Sequence, residues 1–264
     1  AQSVTPGVSV IVSPFLWNLN TAQGNAQVTV RSGVVQVSVD FTSFTKVQPT
    51  IPVDGYPTLM YGYENWWPFY GGSQMASVLQ LPMPLSSLPE FNSTLSYSVY
   101  QQAGEIDDFS YDIWLEYVNG SGLWITDSPE VVFPDIEIMI WLFHEESLAG
   151  NPWFVPFGEI MIPVVVNGTA ENVPFYVYVL PRVGSASGWI GVYYLSAMNL
   201  TGTVTIPLSQ LIKEATFYAQ RVYTSLNTNN YYLAAIQVGM EFNDVGGTVI
   251  AGYKLWNWTL EVSG

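Results

Sequence analysis

Two glutamates stand in the middle of strongly alternating stretches, and their settings are where chemistry could happen. In Asp135-Ile136-Glu137-Ile138-Met139-Ile140-Trp141-Leu142 the side chains of a strand would alternate between two faces. Ile136, Ile138, Ile140 and Leu142 make a core face, and Asp135, Glu137, Met139 and Trp141 make the other. A carboxylate in mid-strand is costly unless water, a partner or a ligand meets it. Gln237–Asn243 repeats the arrangement: Val238, Met240 and Phe242 oppose Gln237, Gly239, Glu241 and Asn243. Phe109–Tyr117 is a third such stretch, with Asp112, Trp114 and Glu116 opposite Ile113 and Leu115. Paired carboxyl groups of this kind suit hydrolysis of a glycosidic bond, where retention uses two groups about 5–5.5 Å apart. Neighbouring carboxylates also push each other's pKa values apart, so one stays protonated while the other ionises. Asp112 would hold Glu137 and tune its charge. The plain alternative is a solvated outer strand with Glu137 in water.

Rival chemistries find few residues. There is no cysteine, which removes thiolate metal sites, disulfides and cysteine nucleophiles. His144 is the single histidine, so a histidine-rich metal centre cannot be built, and Glu145 and Glu146 beside it read as an exposed turn. Asp107-Asp108 could bind calcium with backbone oxygens, but a solvated turn is the expectation. No GxGxxG, Walker or HExxH pattern occurs, and no metal or cofactor is expected.

The elements that must position these residues read as strand after strand: 8–12, 27–30, 34–41, 95–100, 109–117, the Glu137 stretch, 160–166, 173–180, 231–243 and 248–262. Asn167-Gly168 reads as a hairpin turn. One helix is expected from Pro207, at its first position, to about Arg221, with Leu208, Leu211, Ile212, Ala215 and Val222 on one stripe. Glu145 to Pro156 reads as an excursion crossing one end of the sheet, with Trp153 a possible contact. Residues 56–70 carry Tyr56, Tyr61, Tyr63, Trp66, Trp67, Phe69 and Tyr70, which suggests a loop platform on which sugar rings stack. These elements imply an all-β fold: a jelly-roll β-sandwich of two stacked antiparallel sheets with one helix and a concave cleft. No repeat or linker divides the chain, so residues 1–264 are expected to be one domain.

Composition narrows the partners. Twenty-one acidic residues against 6 basic give a formal charge of −15 at pH 7. No basic patch can be assembled, so nucleic acid and anionic membranes are not expected partners. No apolar run is long enough to span a membrane, and no leader is visible, so a secreted protein would have lost its signal before Ala1. Glycosylation sequons at Asn92, Asn119, Asn167, Asn199 and Asn257 suit an exported surface. The acidity suggests work at low pH, with stability rising on acidification. A monomer is expected.

The chain resembles glycoside hydrolase family 12, the jelly-roll endoglucanases, in three separate motifs. Glu137-Ile138-Met139-Ile140-Trp141 matches the family's E-x-M-x-W nucleophile motif, Gly239-Met240-Glu241-Phe242 its acid/base motif, and Tyr111-Asp112-Ile113 its supporting aspartate. Gly55–Tyr63 with Trp66 looks like the aromatic segment of prokaryotic and archaeal members, and Leu16-Trp17 like the N-terminal tryptophan of the cleft. Phe15 and Phe242-Asn243 depart from the pattern in some members. The resemblance implies an extracellular, retaining endo-β-1,4-glucanase acting on cellulose or another β-glucan. Glu137 would attack, Glu241 would act as acid then base, and Asp112 would support Glu137. Met139 would lie under the sugar, and Trp17, Tyr61, Trp66 and Trp141 would contact it. Alternatives on the same sequence are a xyloglucanase or mixed glucanase–xylanase, a non-catalytic glycan-binding jelly roll, and a surface structural protein.

Overall fold

The computed structural model describes residues 2–4, 10–64, 66–69, 71–72, 79–117, 131–184 and 188–263. The alternation seen in sequence becomes sixteen strands: β1 (Gln2–Ser3), β2 (Ile11–Ser13), β3 (Leu19–Arg31), β4 (Val34–Lys46), β5 (Thr58–Glu64), β6 (Gly71–Gly72), β7 (Met83–Pro84), β8 (Phe91–Ala103), β9 (Glu105–Tyr117), β10 (Ile136–His144), β11 (Val155–Val166), β12 (Thr169–Leu180), β13 (Ile190–Ser196), β14 (Gly202–Ile206), β15 (Tyr231–Asn243) and β16 (Val249–Val262). Among the described residues one α-helix, α1 (Leu208–Val222), precedes β15. Pro207 caps that helix rather than entering it.

The strands form one hydrogen-bonded path, β2-β5-β15-β9-β10-β13-β12-β11-β14-β8-β16-β4-β3. Neighbours on the path are antiparallel except β10 and β13, which run parallel because residues 145–154 carry the chain from the end of β10 back to the level of its start, where β11 begins. The path folds back at β11 and β14, which share only the pairs Val165↔Thr205 and Val166↔Val204. Two layers result, with the main core between them. Tyr97 stacks on Phe109 at 3.9 Å between ring centroids, and the Ser93 and Tyr111 hydroxyls meet at 2.6 Å. Trp258 donates to the Ser93 Oγ at 2.9 Å and stands edge-on to Tyr111. Strand β13 is not among the expected elements, because its Ile190–Ser196 is buried on both faces and so lacks alternation.

Helix α1 lays Leu208, Leu211, Ile212 and Ala215 against the sheet, and the Tyr194 hydroxyl donates to the Leu211 carbonyl at 2.9 Å. The Asn167-Gly168 turn joins β11 to β12 with both residues at positive φ, 49° and 85°, as a tight hairpin requires. The excursion after β10 folds over the outer face of β10 and β13, where Leu148 is buried against Met139, Trp141 and Tyr193. Trp153 is not part of that contact and is 73% exposed.

The expected platform over 56–70 is corrected by the structure. Thr58–Glu64 is a strand, so its rings divide between faces. Tyr61 points into the main core, 1% exposed, stands edge-on to Trp258 and donates its hydroxyl to the Leu79 carbonyl. It cannot contact substrate from there. Tyr70 lies outside the described residues.

Candidate active site

The side of the inner layer turned away from the core carries the acids. Register sets them in rows across five strands. Gly62, Ala235, Trp114, Glu137 and Gly191 lie abreast, and the next row is Met60, Gln237, Asp112, Met139 and Tyr193. Thr58, Gly239, Ser110, Trp141 and Leu195 follow, and beyond them Glu241 sits opposite Asp108. Glu137 and Glu241 are therefore three rows apart, joined by a polar track through Asp112, Ser110 and Asp108.

Two apolar clusters wall this track. Met60, Phe69, Trp114 and Ala235 form one, with Ile11, Phe15, Trp66, Val131 and Trp189 packed on it. Met139, Trp141, Leu148, Tyr193 and Leu195 form the other. Between them Glu137 is 9% and Asp112 7% exposed, so both carboxyls are taken largely out of water. Trp189 Nε1 donates to Glu137 Oε1 at 3.1 Å. Trp114 stands edge-on between Trp66 and Trp189, each 5.4 Å away, and donates to Gln237 Oε1 at 3.1 Å.

Charge is distributed by shared protons. Burial raises the pKa of both Glu137 and Asp112, but their mutual hydrogen bond works in opposite senses, down for Glu137 and up for Asp112. The Trp189 N–H lowers Glu137 further. The Glu137–Asp112 hydrogen bond thus favours the proton on Asp112 over Glu137. The Glu241–Asp108 pair follows the same logic. Asp108 is pushed up to about 8, raised first by burial and restrained by hydrogen bonds from Glu241 and from the Ser110 hydroxyl, 2.6 Å away. Glu241 is raised by burial, by the Asp108 charge and by giving its proton to Asp108, and the field of Glu137 adds to the shift. A third pair extends the track. Asp135 accepts the Tyr117 and Val132 N–H groups at 2.8 and 3.0 Å, and Glu116 shares a proton with it and is raised, first by burial. Glu64, also on this side, is raised by burial and then by Glu137.

Two glycines make room. A Cβ at Gly239 would meet the Pro57 carbonyl oxygen at 2.2 Å, so β15 can approach the Pro57 backbone only without a side chain two residues before Glu241. A Cβ at Gly191 would meet the Tyr193 ring at 2.6 Å, and its absence lets that ring lean over the Glu137 row.

Of the residues expected to contact substrate, Met139 and Trp141 are on this side. Trp141 is 4% exposed under Leu148 and Tyr193, which makes it floor rather than platform. Trp66 is half-buried in the tryptophan stack. Trp17 is half-buried on the turn before β3, beside Leu16, which enters the main core. That turn is tied to the flank of the track: Tyr56 N–H donates to the Phe15 carbonyl at 3.0 Å, and the Tyr56 hydroxyl donates to the Ser110 carbonyl at 2.9 Å. Phe15 itself has φ 36°, an unusual conformation for a bulky residue.

Sequence reasoning missed four residues here. Asp108 is not in a solvated turn but fully buried on β9 beside Glu241. The expected strand begins at Phe109 and so leaves Asp108 out, although β9 starts at Glu105 and Asp108 continues the alternation of Asp112 and Ser110. Trp189 immediately precedes β13 and Tyr193 lies within it, and that strand shows no alternation. The Tyr193 hydroxyl lies in the field of Glu137, Glu241, Asp112 and Asp108 and is raised, first by burial. Glu64 ends a strand taken for a loop. His144 is also corrected: it ends β10, half-buried, with Nδ1 2.6 Å from the Glu146 carbonyl and Nε2 2.7 Å from the Ser196 carbonyl. Both nitrogens being held by backbone, it is not the base of a triad.

The model of glycosyl hydrolase family 12 matches residues 8–263. The chain belongs to that family. It is accordingly a glycoside hydrolase. Comparison with curated sequences gives no match. Among solved structures, it is similar to the endoglucanase Cel12A of Rhodothermus marinus, at 18% identity and a TM-score of 0.64, covering 98% of this chain and 94% of that one. The family 12 xyloglucanase of Bacillus licheniformis, in complex with ligand, aligns at 18% identity and 0.60, over 99% and 97%. The xyloglucanase domain of NopAA from Sinorhizobium fredii, in complex with cellobiose, aligns at 14% and 0.59, over 97% and 94%. At these identities the likeness carries the fold, and this chain shares the jelly roll of family 12.

Proposed function

We propose that this family 12 enzyme is a secreted, retaining endo-β-1,4-glucanase. The observation that carries the reading is a cluster of four carboxyls, three buried and Glu241 half-buried, paired as Glu137 with Asp112 and Glu241 with Asp108. Glu137, deprotonated and held by Trp189 and Asp112, is suited to attack an anomeric carbon. Glu241, protonated against Asp108, is suited to deliver a proton to the leaving oxygen and later to take one from water. Asp112 serves as a positioning residue whose proton stabilises the Glu137 anion. Met139 supplies floor beneath the sugar, and Trp17 and Trp66 supply ring faces along the cleft. Among the described residues no helix is long and apolar enough to cross a membrane.

The test is reducing-sugar release from carboxymethylcellulose and barley β-glucan, with the first-formed anomer followed by proton NMR. Glu137→Gln should lower kcat by about 10³-fold or more, since a neutral amide cannot form the glycosyl intermediate. The parent should release the β-anomer first. Release of the α-anomer would overturn retention, and unaltered turnover in Glu137→Gln would overturn the assignment. Xyloglucan belongs in the same assay, because two of the similar solved structures are named as xyloglucanases.

A further inference from the structure

Where β9 begins and β10 ends, three acids outside the track converge. Glu105, Asp107 and Glu146 each offer one carboxylate oxygen, and these oxygens all lie within 4.8 Å of one another. Asp107 is 3% exposed, and neither of its carboxylate oxygens receives a hydrogen bond. Glu105 and Glu146 are half-buried and leave an approach from solvent. The backbone that carries them is already locked. Glu146 N–H donates to the Asp107 carbonyl at 3.3 Å, Glu145 N–H to the same oxygen at 3.2 Å, and Ile106 N–H to Glu145 Oε1 at 3.1 Å. Three like charges held this close, one of them buried without a donor, call for a positive partner.

We infer that Glu105, Asp107 and Glu146 form a binding site for a hard divalent cation of calcium's size. The donors are all oxygen, with no imidazole or thiolate, which suits calcium or magnesium rather than zinc or copper. Coordination favours calcium. Calcium accepts six to eight oxygens in irregular arrangements, as an asymmetric set of three carboxylates with water offers, whereas magnesium demands near-ideal octahedral geometry and dehydrates reluctantly. Water fills the remaining positions. The bound ion ties the start of β9 to the segment after β10, one residue from the Asp108 that meets Glu241. This site is independent of the substrate reading.

The experiment is isothermal titration of chelator-stripped protein with calcium chloride and with magnesium chloride, in about 0.15 M sodium chloride to screen the acidic surface. Melting curves with and without calcium accompany it. One saturable calcium site is expected, at least about tenfold tighter than for magnesium, with Tm rising as calcium is added. Glu146→Gln and Asp107→Asn should each weaken calcium at least about tenfold, while Glu159→Gln, on the exposed face of β11, should leave it unchanged. If Asp107→Asn fails to fold, the half-exposed Glu146→Gln decides. No saturable binding up to about 10 mM calcium, the weakest range of calcium modules, would overturn the inference. So would equal loss in Glu159→Gln, or full affinity in Glu146→Gln.

Discussion

At the scale of single residues, two donors offset the cost of charging Glu137 in a buried place. The Trp189 N–H is one and the Asp112 carboxyl is the other. Trp189→Phe removes the first while keeping a ring against Trp114. Glu137 should then be harder to ionise, and the acidic limb of kcat/KM should move to higher pH. A limb that stays in place in a pH–rate profile would mean that Asp112 alone sets the charge. Asp112→Asn retains a donor and should leave that limb nearer the parent than Asp112→Ala does. Tyr193→Phe removes a hydroxyl from the field of four carboxyls. It should lower kcat more than it raises KM, as steady-state kinetics on one soluble glucan would report.

At the scale of elements, the site depends on how closely β15, β9 and β10 are set. Gly239→Ala puts a methyl group into the Pro57 carbonyl, and β15 must move away from β5. A loss of about 1–3 kcal/mol is expected, read from the denaturant midpoint, with activity falling as Glu241 shifts. The same three strands were legible in sequence because each alternates between an apolar and a polar face. Ile136, Ile138 and Ile140 could only be core, so Glu137 had to face away from it, and the same holds for Asp112 and Glu241. Parity failed where both faces are apolar. In β5 Tyr61 and Met60 are equally suited to burial, and pattern could not say that Tyr61 takes the core side and Met60 the cleft side. Strand β13 hid Tyr193 for the same reason. Asp108 keeps the parity of Asp112 and was missed because two adjacent acids, Asp107 and Asp108, read as a turn rather than as the start of a buried strand.

At the scale of the whole molecule, acidity and stability are linked with a definite sign. Asp54 is pushed up to about 7, mainly by burial and by its hydrogen bond with Asp244, and Asp135 to about 6, mainly by burial. Glu64, Asp112, Glu116 and Glu137 are raised as well, each first by burial. A raised carboxyl favours folding while protonated, so its contribution is full below about pH 4 and is lost between about pH 4 and 8. One pKa unit corresponds to about 1.4 kcal/mol, large against a total of about 5–15 kcal/mol. Tm should therefore rise as pH falls from 7 to 4, and a flat or falling Tm in calorimetry would contradict this arrangement of charges. Lys46 works against the trend at one place by pairing with Asp54 at 3.2 Å and Asp244 at 3.6 Å. The continuous path of strands has a further consequence, in the language of amide exchange. Its ends are β2 and β3, while β15, β9 and β10 lie well inside its run, each paired on both sides. Protons on the backbone of β9 should be the last to exchange with heavy water and those of β3 among the first. The strands that carry the acids would then report the global unfolding free energy, and the outer margin would report only fraying.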